Sequence, residues 1–185
     1  MNNTLFRDLL MNMLLGLTAV CLALMMVRAN PSVDSGKQPG NMIVSIAWPD
    51  GGFEDIDLWV SAPGEPVAVG YSNRAGQVFN LLRDDLGAAG DTMPLNYENA
   101  YSRGLPAGQY TVNLHYYRGT KPIDVDVEIR YGAVGAVTKL YFRETVTLNA
   151  QGQERTVISF TLDENGQVTA TNRVFKALRH VVGKG

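Results

Sequence analysis

Two sets of acidic residues in this 185-residue chain are of types and spacing that do ion chemistry. The first is a single residue, Asp8, set directly against Leu9 to Val27, nineteen residues with no charge at all. Enclosing a carboxylate at the edge of such a run is costly, and an ionisable group held there is by default functional. The second is a group of carboxylates further along. Asp55 and Asp57 lie two apart, so on a strand they share the face opposite Ile56, Leu58 and Val60. With Asp84, Asp85 and Glu98 they could supply the oxygen ligands that calcium takes. The alternative is that they are solvent-facing strand and turn acids, with Asp84-Asp85 opening a loop and no metal bound. His115 and His180 stand apart from each other and from any cysteine, so they make no zinc site and a surface role is expected for both. The chain carries no Gly-x-Ser-x-Gly, phosphate loop or dinucleotide fingerprint, so neither hydrolytic chemistry nor a cofactor is expected.

The elements that position these residues follow from composition and period. Nineteen helical residues span roughly 28 Å, close to the hydrocarbon thickness of a bilayer. The competing reading is a cleaved signal peptide, with Val27-Arg28-Ala29 as the cleavage site before Asn30. Against it, Arg7 is cancelled by Asp8 where a signal wants net positive charge, and nineteen residues is long for a signal core. Cys21, the only cysteine, lies deep in the run behind Val20, so it makes neither a disulfide nor a good lipidation site. On a helical wheel, Asp8, Asn12, Gly16, Ala19 and Ala23 fall within a stripe about 80° wide, and the rest of the surface is mostly Leu, Met and Val. Small and polar residues on one side form the packing face of a membrane helix. That face fits a homodimer seam with Asp8 merely capping the helix amino terminus. It fits equally an ionisable group held against partner helices.

The expected order is a leader over 1–8, a membrane helix over 9–28, a polar Pro/Gly/Ser linker over 29–41, a β-domain over 42–171 and a basic tail over 172–185. Within the β-domain the period is two. Ile123, Val125, Val127, Ile129 and Tyr131 alternate with Asp124, Asp126, Glu128 and Arg130. Tyr110, Val112, Leu114 and Tyr116 share one side of another strand; Val44, Ile46 and Trp48, and Ile158, Phe160 and Leu162, mark two more. Further strands are predicted at 55–61, 67–71, 78–82, 138–148 and 168–171, with turn signals such as Pro49 to Gly52, Pro63-Gly64 and Glu164 to Gly166 between them. "GAVGAV" at 132–137 joins two strands. Eight or nine short strands with no convincing helix predict an all-β fold, an antiparallel β-sandwich behind a single amino-terminal transmembrane helix. The net charge is −2, and the tail holds Arg173, Lys176, Arg179 and Lys184 with no acid, so the remainder is −6; nucleic acid is not an expected partner. The tail is predicted as a short basic helix with Val174, Phe175, Leu178 and Val182 on its apolar side, docked on the β-domain rather than on a membrane.

Two resemblances add expectations. Phe6-Arg7-Asp8-Leu9-Leu10, a short leader, one span and a Pro-containing linker before a further domain resemble the single-span subunits of proton-driven membrane motors, the ExbD, TolR and MotB class. That likeness covers about 25 residues. It implies that Asp8 carries the ion, that two copies sit in a ring of multi-span ExbB-, TolQ- or MotA-like subunits, and that the β-domain is periplasmic with the amino terminus in the cytoplasm. The chain departs from the class beyond the span, with neither an OmpA-like peptidoglycan motif nor the small αβ domain of TolR and ExbD. Asp55 to Asn73, Arg83 to Gly87 and Gly104 to Gly119 resemble a bacterial Ig-like domain of the YfaP type, over about 80 residues. That likeness implies the fold and names no chemistry. The expectation is therefore an ion-driven motor subunit; the alternative is a tethered module that binds a protein, a glycan or calcium.

Overall fold

The computed structural model of the chain describes residues 2–29, 40–86, 95–132 and 137–179. It divides into two compact units, Met1–Gln38 and Pro39–Gly185.

The first unit is one helix, α1, Asn2–Ala29, 28 residues and about 42 Å long. The window long and apolar enough to cross a membrane is Asn3–Met25, and none of it is buried inside the protein. Residues 2–8 of the expected leader are thus helical in the structure. Leu, Met and Ala are strong helix formers and nothing within Asn2–Ala29 breaks the backbone ladder. Length and apolarity fit a single-pass anchor, and a signal sequence passes the same test.

Among the described residues the second unit holds nine strands: β1 Met42–Ala47, β2 Asp55–Ser61, β3 Phe79–Arg83, β4 Tyr97–Ser102, β5 Gly108–Arg118, β6 Ile123–Tyr131, β7 Lys139–Leu148, β8 Glu154–Leu162 and β9 Val168–Asn172. They form two sheets, β3-β4-β1-β6-β7 and β2-β5-β8-β9. Every pairing is antiparallel. Alternation drives the assembly. Val44, Ile46, Val125, Val127 and Ile129 from the first sheet join Ile56, Leu58, Leu114, Tyr116 and Phe160 from the second in one buried cluster. Burying each such side chain is worth about 1.5–3 kcal/mol relative to leaving it exposed. Tyr110 stacks on Phe160 at 5.3 Å, and the Tyr110 hydroxyl donates to the Pro106 carbonyl at 2.7 Å, so the ring is buried without an orphaned polar atom.

Three expectations change. Residues 67–71 make only isolated bridges, Val60 with Val69 and Gly70 with Asn73, and form no strand. Strand β4 was not expected, because its buried side is Glu98, Ala100 and Ser102 rather than an apolar row. The tail does not form a helix over 173–179. Its donors are taken by side chains instead: Val174 N–H by Asn172 at 3.1 Å, Lys176 N–H by Thr156 at 3.0 Å and Leu178 N–H by Glu154 at 2.8 Å. A helix over this segment would need the Leu178 donor for the carbonyl of Val174, four residues back. Leu178 is buried while Val174 and Phe175 are exposed, so the expected shared apolar side is absent. Docking of the tail on the β-unit is as expected. Val182, His180 and residues 133–136 of the β6–β7 connection lie outside the described residues.

Candidate functional site

The residues singled out in the β-unit converge on the outward face of the four-stranded sheet. Strand alternation sends Asp57 and Trp59 of β2, and Asn113 and His115 of β5, away from the core, and register pairs Asp57 with His115 and Trp59 with Asn113. On the other side of β5, Thr156 lies opposite Asn113 and Glu154 opposite His115. An outward face of an antiparallel sheet normally meets water. Here it does not: Asp57 is 4% exposed, His115 2% and Asn113 0%. The expectation of a surface role for His115, and of solvent-facing acids at Asp55 and Asp57, is therefore corrected. Part of the cover is the tail, which runs from β9 across β8 to β5, with Leu178 packed on Trp59 and Ala68. Gly70 completes the seat of Trp59, since a Cβ there would come within 2.5 Å of the indole.

His115 Nδ1 lies 2.7 Å from Asp57 Oδ2, and Arg179 Nη1 lies 2.9 Å from His115 Nε2. A guanidinium only donates, so Nε2 accepts; Nδ1 then carries the ring proton and donates to Asp57. Behind this chain lies the acid group. One oxygen each from Asp57, Asp84 and Glu98 lie within 4.8 Å of one another. Glu98 reaches in from β4 of the other sheet, where it accepts from the backbone N–H of Leu58 at 2.8 Å and of Asp85 at 3.2 Å. Asp85 accepts from Tyr97 N–H at 3.1 Å and from Arg83 at 2.9 Å. Asp55 faces Arg118 at 3.5 Å, and Asp84 faces Arg74 at 3.9 Å.

Burial pushes the Glu98 carboxyl well above the ordinary carboxylate range, and the charges of Asp57 and Asp84 add to it against the two N–H donors. Burial likewise raises Asp57, against the pull of His115. Asp55 is raised to about 6 by burial and then by the charge of Asp57, with Arg118 opposing. Loss of hydration disfavours the charged form in each case.

All five acids named from the sequence, Asp55, Asp57, Asp84, Asp85 and Glu98, thus belong to one neighbourhood. Oxygens within 4.8 Å of one another suit a cation ligated at about 2.3–2.6 Å. Many of the oxygens are already engaged, however, both of Glu98 by backbone donors and one of Asp57 by His115. Trp59, Asn113, Glu154 and Arg179 were missed as site residues. The available signal was Trp59, a large aromatic on the polar side of β2 between Asp57 and Ser61.

In the helical unit, Asp8, Asn12, Gly16, Ala19 and Ala23 are all exposed. The helix begins at Asn2, so Asp8 lies six residues inside it and outside its first turn. The orphaned N–H groups of a helix start belong to its first four residues. Asp8 is therefore not an amino-terminal cap.

Comparison with protein-family models, with curated proteins and with solved structures finds no match to this chain.

Proposed function

We propose that the chain is the single-span subunit of an ion-driven membrane complex, in which Asp8 carries a proton past the helices of a multi-span ExbB-, TolQ- or MotA-like ring. The observation that supports this is the position of Asp8, inside an apolar helix and beyond the reach of any capping role. A carboxyl at that depth is costly and marks an ion path rather than an anchor. Asn12, Gly16, Ala19 and Ala23 share its stripe and form the face on which a second copy or the ring helices pack. In this reading the protein sits in a bacterial inner membrane as a parallel homodimer with its amino terminus in the cytoplasm. Its two-sheet body, an Ig-like β-sandwich, transmits force to a periplasmic target. A membrane potential of ~100 mV supplies about 2.3 kcal/mol per charge moved, enough to bias the rocking of packed helices.

The test is Asp8→Asn, which keeps size and most hydrogen bonding and cannot carry a proton. The protein is purified from its membrane with whatever multi-span subunit accompanies it and reconstituted in vesicles. The variant retains the partner and the dimer and loses proton flux. Unchanged flux, or mature protein beginning at Asn30, overturns the reading.

A second reading, a tethered module that holds calcium, draws on the convergence of Asp57, Asp84 and Glu98. Under it, calcium raises the melting temperature by several degrees and Asp57→Asn removes the effect. An unchanged melting temperature rejects it.

A further inference from the structure

We propose that the outward face of the four-stranded sheet is a peptide-binding groove, occupied here by the chain's own residues 173–179 as a displaceable strap. Its partner is an extended basic peptide that presents a leucine followed by an arginine.

The contacts between strap and face are those of peptide recognition. Body side chains read the strap's backbone: Thr156 accepts from Lys176 N–H, Glu154 accepts from Leu178 N–H, and Asn113 Nδ2 donates to the Lys176 carbonyl at 2.7 Å. Backbone contacts of this kind hold an extended peptide whatever its side chains, and specificity falls to the few side chains that enter pockets. Leu178 enters one, over Trp59 and Ala68. Arg179 enters a second, donating to His115 Nε2. A second cation, Arg173, pairs with Glu144 of β7, the outermost strand of the other sheet, at 2.5 Å. The strap thus prints the chemistry of what the groove accepts: free backbone, leucine and arginine, with a further cation at its margin.

The fit in cis is incomplete. Trp59 Nε1, Asn113 Oδ1 and Arg179 Nε are buried at this contact without a hydrogen-bond partner among the described residues. Buried polar atoms are almost always satisfied, and a side-chain network left part-satisfied favours whatever satisfies it better. Leaving the groove disturbs neither sheet. The strap belongs to neither sheet, two of its apolar residues, Val174 and Phe175, already face solvent, and β9 pairs with β8 only up to Asn172. Swinging out after Asn172 breaks no strand pairing.

The experiment compares the purified full chain with a version stopped after Asn172. The probe is a fluorescent synthetic peptide of residues 172–185, followed by anisotropy. Occupation in cis lowers apparent affinity by the fraction of molecules whose groove is open, so the stopped chain binds the probe at least about tenfold more tightly than the full chain. A probe with Leu178→Asp, or a stopped chain with Asn113→Ala, loses that binding. In the full chain, Leu178→Ser with Arg179→Ala loosens the strap and raises affinity for the unaltered probe. A folded stopped chain that binds no better than the full chain overturns the proposal. So does failure of both the stopped chain and the double variant to melt cooperatively, since the segment would then be part of the folded core.

Discussion

The two sheets of the body present outward faces built on the same alternation, and the two faces have opposite fates. On the five-stranded sheet, Asp124, Asp126 and Glu128 of β6 point outward and meet solvent. Thr147 and Thr145 of β7 donate to Asp124 and Asp126 at 2.6 and 2.5 Å, while Arg130 and Arg143 pair with Glu128. On the four-stranded sheet, the outward Asp57, Asn113, His115 and Thr156 are buried. In the first case water does most of the satisfying, and each pair adds little. In the second the protein must satisfy every group itself, and each partner matters. Alternation tells which way a side chain points; it does not tell whether water is there to meet it.

The largest expected contrast comes from removing one carboxylate on each face. Glu154→Ala removes one of the two acceptors of Asn113 Nδ2, 2.7 Å away, and strands the N–H groups of Leu178 and Arg179. With two donors left unpaired it lowers the unfolding free energy by about 2–3 kcal/mol, the upper part of the range for buried hydrogen-bonding groups. Glu128→Ala removes an exposed ion-pair network and costs about 1 kcal/mol or less. Urea denaturation of the two variants measures both, and equal losses would erase the contrast.

Acidity separates the faces next. Burial raises the carboxyls of Asp57 and Glu98 and takes Asp55 to about 6, so between the unfolded value near 4 and that of folded Asp55 the native state binds more protons than the unfolded chain. Stability therefore rises as pH falls through that window. Glu128 and Glu144 are lowered by their arginine partners and surrender their contribution only below the unfolded value of 4.5. The melting temperature should climb by a few degrees between pH of about 7.5 and 5.5, and Asp55→Asn should raise it at the upper pH and flatten the slope. A melting temperature that falls steadily over this range contradicts the assignment. Salt sharpens the comparison further. Raising ionic strength from about 0.05 to 0.5 M screens exposed pairs, so the cost of Glu128→Ala vanishes while that of Glu154→Ala persists. The smallest effect is expected for Thr145→Val, which removes a solvent-exposed hydroxyl contact and stays within about 0.5 kcal/mol.

These contrasts explain what the sequence could and could not tell. Strand β6 was legible from end to end because Ile123 to Tyr131 keeps its apolar and charged residues strictly apart. Strand β4 was not, because Glu98 and Ser102 take inward positions and find their partners in Leu58 and Met42 N–H, residues far away along the chain. The acids of the site were legible as residue types, and Asp55 and Asp57 as a shared face. Their burial was not, since it depends partly on a tail more than 100 residues later in the chain. The tail misled through its spacing: its apolar residues fit a helical period, and hydrogen bonds to Glu154, Thr156 and Asn113 override that period. For the span, periodicity gave the stripe of Asp8, Asn12, Gly16, Ala19 and Ala23, while the start of the helix at Asn2 was hidden by the polar composition of its first residues.

The bond from Leu58 N–H to Glu98 has a further consequence for crowding. Strand β2 is the outermost strand of its sheet, and a bare outermost strand invites another molecule to add itself. Outward donors along it and just past its end are already taken: Leu58 by Glu98, Val60 by the Val69 carbonyl and Ala62 by Glu65. A side chain from the opposite sheet thus acts as a stopper against chain-to-chain polymerisation. Anchoring raises local concentration by confining molecules to a surface, where such end-to-end growth would be most favoured. Glu98→Leu would pull that stopper, and the variant should gather into β-rich aggregates at protein concentrations where the parent chain stays dispersed.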